Sequence, residues 1–235
     1  MSRLCHTDFL TTLARAVIFI PSAQISGQHI YRRLSERWYE KFDGDPILLP
    51  SRDNMPIEIP LVILQSRSGE WKCSVTRERV DIVHDPKLPA SVDMASFFTE
   101  ASDYLTEFRS LFHLRVGRLA AICNRFLVHE EPGIALANHF CRDERLKGPL
   151  NRPGDFELHA HKQYTMGGEH EVNSWVRSKT GLKTESQERI IVVIQDINTL
   201  ADQAQVKEYG DEEIVRFFDA GSSELDSILS IYFPE

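Results

Sequence analysis

In the stretch WKCSVT, residues 71–76, Trp71, Cys73 and Val75 alternate with Lys72, Ser74 and Thr76. Side chains of a strand point alternately to its two faces, so this stretch buries one face of a sheet and wets the other. A sheet of that kind needs a second layer on its apolar face. The flanking sequence predicts two more strands, at 57–65 and 79–83. A polar connection at 66–69 ends in Gly69, which can supply the positive φ of a hairpin turn. The three form an antiparallel meander.

Helices to cover it are marked on both sides. After a β-branched run at 13–23 that ends near Pro21, Ser26 is placed to cap a helix. Ile30, Tyr31, Leu34, Trp38 and Phe42 make its apolar stripe, and Gly44 and Pro46 stop it. A second helix begins at Ser91, read as its cap, with Asp93 in the first turn. Phe97, Ala101, Tyr104, Leu105, Phe108 and Phe112 lie along one face, read as core in preference to a ligand cavity.

The order then repeats. A strand within 115–128, a helix at 131–142, strands at 155–165, 169–177 and 188–196, and a helix at 211–233 with a break or kink at Gly221 retrace the same succession. The expected fold is therefore α+β. Duplicated strand–helix–three-strand–helix halves, 1–113 and 114–235, form an antiparallel sheet with helices on one face, as two units or one continuous domain. The opposite face is left for a partner.

Composition narrows the function. Acidic residues outnumber basic ones by 35 to 27, a net charge of −8 that repels nucleic acid and anionic membranes on average. Arg32, Arg33 and Arg37 on the first helix, with Lys72, Arg77 and Arg79 on strands, are the residues a nucleic-acid binder would use. They lack interleaved aromatics and read as solvated charge. The four cysteines, Cys5, Cys73, Cys123 and Cys141, form no C-x-x-C pair. No signal peptide leads the chain, and no apolar run approaches the ~20 residues of a membrane helix. The cytoplasm is the expected compartment.

Four groupings invite a chemical reading. In ELHAHKQY, residues 157–164, Glu157, His159 and His161 share one face of a strand and could offer two imidazoles and a carboxylate to a metal. A polar sheet face is the preferred alternative. Asp196 and Asn198 end the IIVVIQDIN strand, where a carboxylate can hold Mg²⁺ or simply terminate a strand and cap a turn. Cys123 with His129, and Cys141 with His139, are neighbours in sequence only and read as structural. Trp71 and Trp175 sit among polar residues and are candidate partner-binding anchors, with a core role as the competing reading. Neither G-x-x-x-x-G-K-[ST] nor G-x-G-x-x-G occurs.

The early helix ending in RWYEKF, the strand ERIIVVIQDIN and the terminal IVRFFDAGSSELDSILSIYF resemble a patchily distributed, functionally uncharacterised prokaryotic family. Its members open with a strand and an amphipathic helix, carry a late aspartate motif and end in a helix with a late phenylalanine. Asp196, Ile197 and Phe233 match, whereas the family's opening proline pattern does not. The resemblance implies an accessory product of mobile or defence-related gene neighbourhoods, such as a CRISPR or other anti-phage module, and implies no enzymatic mechanism. The expectation is thus a non-enzymatic protein-binding or regulatory protein with no cofactor, whose partner is encoded nearby. The alternative is a metal-dependent hydrolase or nuclease using Glu157, His159 and His161, with Asp196 as a further ligand.

Overall fold

The structure, a computed structural model, describes residues 4–21, 25–49, 56–148, 151–184 and 186–235. At its centre β1 (Leu10–Phe19) pairs antiparallel with β6 (Arg118–Val128), Ala16 opposite Ala121 and Arg15 opposite Ile122. Outward from β1 run β5 (Arg79–His84), β4 (Trp71–Val75), β3 (Val62–Gln65) and the short edge strand β2 (Ile47–Leu48). Outward from β6 run β9 (Arg189–Thr199), β8 (His170–Leu182) and the edge strand β7 (Glu157–Met166). Among the described residues the result is one continuous nine-stranded antiparallel sheet that crosses the 113/114 boundary without interruption.

Among the described residues five helices accompany it: α1 (Gly27–Leu34), α2 (Met94–Phe112), α3 (Pro132–Phe140), α4 (Asp143–Leu146) and α5 (Asp211–Tyr232). Alternate residues of the strands, such as Ala14, Ala16 and Ile18 of β1 and Leu119, Ala121 and Cys123 of β6, are fully buried. They join Ile30, Phe98, Leu136 and Phe217 from four of the helices in a single apolar cluster. Those helices therefore lie on one side of the sheet. Small alanines at the centre let α2 and α5 lie close over it, and their rings meet where Phe98 stacks on Phe218 at 5.7 Å and 11°. Among the described residues no helix is long and apolar enough to cross a membrane.

Several boundaries differ from the sequence reading, each for a local reason. The first strand is 10–19, not 13–23, and residues 22 and 23 lie outside the described residues. The first helix keeps its Ser26 cap, which accepts from His29 N at 3.2 Å, but ends at Leu34. Beyond it, separate turns hold Trp38 N on Leu34 O and Phe42 N on Trp38 O, so the apolar spacing survives without a continuous helix. The strand placed at 57–65 starts only at Val62, because Pro56 and Pro60 cannot donate to a ladder. Asp93, not Ser91, caps α2, accepting from Ser96 N at 3.0 Å. Ser91 instead exchanges two 3.2 Å hydrogen bonds with the backbone of Thr11.

The later elements shift in the same way. The helix placed at 131–142 is interrupted at Cys141, whose extended backbone separates α3 from α4. Strands β8 and β9 run on to Leu182 and Thr199 because each has a neighbour to pair with over that length. Gly221 does not break the helix: α5 passes through it, and a Cβ there would lie 3.3 Å from that of Ala121. Its role is close approach of helix to sheet.

Candidate binding face of the sheet

Residues alternating with the buried ones point to the other face, where two pockets are bordered by strand and loop residues alone. The register aligns them across the sheet. His161 on β7 is opposite Trp175 on β8, which is opposite Asp196 on β9, and the row continues through Ile122 on β6 to Arg15 on β1. In the next row Gln163, Asn173 and Asn198 are opposed in turn.

Glu157, His159 and His161 all stand on this face, as the alternation predicts. They do not act as one set. Glu157 Oε1 and His159 Nε2 pair at 2.7 Å, and that hydrogen bond is the main reason the Glu157 carboxyl is held below its ordinary range. His161 turns to the next strand, stacking on Trp175 at 4.1 Å and 18° and meeting Asn173 Oδ1 at 3.1 Å. Among the described residues no three His, Cys, Asp or Glu side chains are grouped as metal ligands. Asp196 and Asn198 lie inside β9 rather than in a turn, since β6 and β8 flank them, and Asn198 Nδ2 donates to Asp196 Oδ1 at 2.9 Å.

Around Trp175 the face holds a pocket of about 380 Å³ bordered by Arg118, Asn173, Arg177, Asp196 and Asn198. Arg118 is fixed there by its bonds to Asn198 Oδ1 at 2.6 Å and Thr199 O at 3.0 Å, with its guanidinium 4.8 Å from the Phe19 ring. On the other side of the central pair a second pocket, about 320 Å³, is bordered by Arg15, Lys72, Ser74, Arg79 and Asp81. The Asp81 side chain is 5% exposed, and Arg79 Nε lies 3.0 Å from its Oδ2. Burial pushes the Asp81 carboxyl up, and Arg79 and Arg15 oppose that rise.

The two tryptophans part company. Trp71 lies on the helix-covered face, stacked on His84 at 4.5 Å and against Phe97 at 5.6 Å, with Lys41 Nζ 4.1 Å from its ring. Trp175 stands on the open face, 37% exposed. Of the basic residues, Arg32 and Arg33 are exposed on α1 and Arg37 pairs with Glu107 at 2.8 Å, whereas Lys72 and Arg79 border the second pocket. The basic residues are therefore shared between opposite sides of the molecule.

The Cys–His neighbours are also separated in role. Cys123 is buried, which pushes its thiol up to about 12, and its Sγ meets Gln195. His129 Nδ1 accepts from Glu131 N at 3.1 Å, and His139 Nε2 donates to Tyr232 O at 2.7 Å. Among the described residues no hydrogen bond joins Cys123 to His129 or Cys141 to His139.

Asp81, Arg118 and Arg177 were not singled out by sequence reasoning. The signal for Asp81 was present, an aspartate between Val80 and Ile82 in a strand with apolar residues on both faces, which marks a carboxylate retained at a cost. In comparisons with known proteins, no family model matches the chain and no curated protein shows a significant match.

Proposed function

We propose that the chain is a non-enzymatic accessory protein that docks a second protein on the open face of its sheet. The observation that carries the reading is Trp175, a large aromatic left 37% exposed in a row that also presents His161, Asp196 and Arg15. Exposed aromatics beside arginines are the usual anchors of protein interfaces. Eight inter-strand spacings of about 4.8 Å make the face roughly 40 Å wide. That is ample for an interface of about 800 Å² per partner.

A setting in bacterial anti-phage or CRISPR-associated defence is part of the proposal and is carried by the family resemblance at Asp196, Ile197 and Phe233. We also infer that residues 1–113 and 114–235 are repeats of one unit. The strand order supports this, since β5, β4 and β3 leave β1 as β9, β8 and β7 leave β6, with one long helix closing each half.

Co-expression with the neighbouring genes, followed by native mass spectrometry, tests the docking reading. The expected result is a discrete added protein mass that is lost with Trp175→Ala. A partner that binds Trp175→Ala and Arg177→Glu as well as the parent would move the interface elsewhere. A mass increment of one metal ion, lost in a His159→Ala, His161→Ala double variant, would instead favour a hydrolase reading through Glu157, His159 and His161.

A further inference from the structure

The pocket at Trp175 is built from three kinds of group that a flat docking face does not require together. One is a fixed aromatic platform. His161 covers part of the indole at 4.1 Å and 18°, and Asn173 holds His161 at 3.1 Å, yet Trp175 stays 37% exposed beside the pocket. A ring already immobilised loses little entropy when a second planar group stacks on it.

The second is a guanidinium group at each end of the pocket. Arg118 is half-buried and held by Asn198 and Thr199, and Arg177 borders the same space from β8. Both side chains favour a negatively charged ligand group. The third is a chain of hydrogen bonds across three strands. Gln163 Nε2 donates to Asn173 Oδ1 at 2.8 Å, Asn173 Nδ2 to Asn198 Oδ1 at 3.4 Å, and Asn198 Nδ2 to Asp196 Oδ1 at 2.9 Å. Asp196 Oδ2 has no hydrogen bond among the described residues and borders the pocket as an acceptor.

We propose that this pocket binds a mononucleotide. The base stacks on Trp175, the phosphate meets Arg177, two residues along the same face of β8, and Asp196 accepts from an exocyclic amine of the base. The volume of about 380 Å³ suits a single nucleotide. The net charge of −8 disfavours a long polyanion, whose many phosphates would each meet that repulsion. The proposal takes from the docking reading only that this face is the ligand-facing one, and needs no protein partner.

The test uses the isolated chain and adenosine 5′-monophosphate as probe, by titration calorimetry at low salt with tryptophan fluorescence in parallel. Trp38 is buried and Trp71 is packed beneath Phe97, so stacking on Trp175 is read directly as quenching. Saturable binding with quenching is expected. Trp175→Leu and Arg177→Gln should each weaken it by roughly tenfold or more while urea unfolding midpoints stay near that of the parent. Ribose 5-phosphate, which lacks the base, should bind at least as weakly as those variants bind the nucleotide.

Three results would overturn the proposal: no heat and no quenching up to roughly millimolar nucleotide, equal binding of ribose 5-phosphate, or parent-like binding by both variants. The measurement involves no partner, so its failure leaves protein docking to stand or fall on the native mass experiment.

Discussion

Arg125, in the middle of β6 and 2% exposed, reaches through the helix-covered side of the sheet to Asp226 on α5, whose carboxylate is 63% exposed. The guanidinium also donates to Gln195 Oε1, to Thr11 Oγ1 at 3.1 Å and to Leu225 O at 3.4 Å. One cluster thus joins β1, β6, β9 and α5.

The two ends of this ion pair are not equivalent, and removing them should have unequal consequences. Asp226→Ala leaves a buried guanidinium without its counter-charge and should cost about 2–4 kcal/mol. Arg125→Met removes the buried charge, fills most of the volume and leaves Asp226 in water, so it should cost less, about 1–2 kcal/mol. Urea unfolding of the two variants and of the double variant measures this. The prediction fails if Arg125→Met is the more destabilised of the two.

At the start of α2 the hydroxyl and the carboxylate have separate duties. Asp93→Ala removes the cap on Ser96 N and should cost about 1 kcal/mol of global stability. Ser91→Ala leaves the helix capped and Thr11 O still bonded to Val92 N, but removes the hydroxyl that accepts from the Thr11 amide. Hydrogen exchange at the Thr11 amide should therefore rise in Ser91→Ala and stay near the parent rate in Asp93→Ala under native conditions.

Which residues share a face was legible in the sequence, because alternation is a local property. Glu157, His159 and His161 stand on the open face and Phe156 packs inward as the pattern required. Which residues meet across strands was not legible. His161 finds Trp175, and Trp175 finds Asp196, only through registers fixed by the β7–β8 and β8–β9 connections. The convergence of Arg15 with Asp81 depends likewise on β1 pairing with a strand far along the chain. Helix ends failed where several side chains compete for one role, as Ser91 and Asp93 do. Capping chemistry identifies both, and only the tertiary contact with Thr11 distinguishes them.

Gly221 shows the same limit in one residue. A glycine in a helix reads as a weak point, yet here it admits the helix to within reach of Ala121. Alanine at this site recovers about 1 kcal/mol of helix propensity while crowding a neighbour that is itself a strand Cβ, so Gly221→Ala should change stability by less than about 1 kcal/mol. Gly221→Val brings branched bulk that the strand cannot avoid, and should cost about 2 kcal/mol or more. Thermal unfolding of the pair checks the difference, and equal stabilities would show that α5 is free to shift.

His170 should make the fold sensitive to acid. Its ring is 3% exposed, with neither nitrogen hydrogen-bonded, and Phe217 lies edge-on at 5.5 Å. Burial holds its pKa below the ordinary histidine value. Lys207 and Arg216 push the same way, while Glu169 and Glu213 oppose. The unfolded chain takes up a proton at about pH 6.5, where the folded chain still resists it, so stability is lost as pH falls from there to the depressed folded value and levels off below it. His84, also lowered mainly by burial, adds a slope of the same sign. Urea midpoints at about pH 7.5 and about pH 5.5 should differ more for the parent than for His170→Leu. An unchanged difference in the variant would assign the acid sensitivity to other groups, because a leucine side chain has no proton to gain.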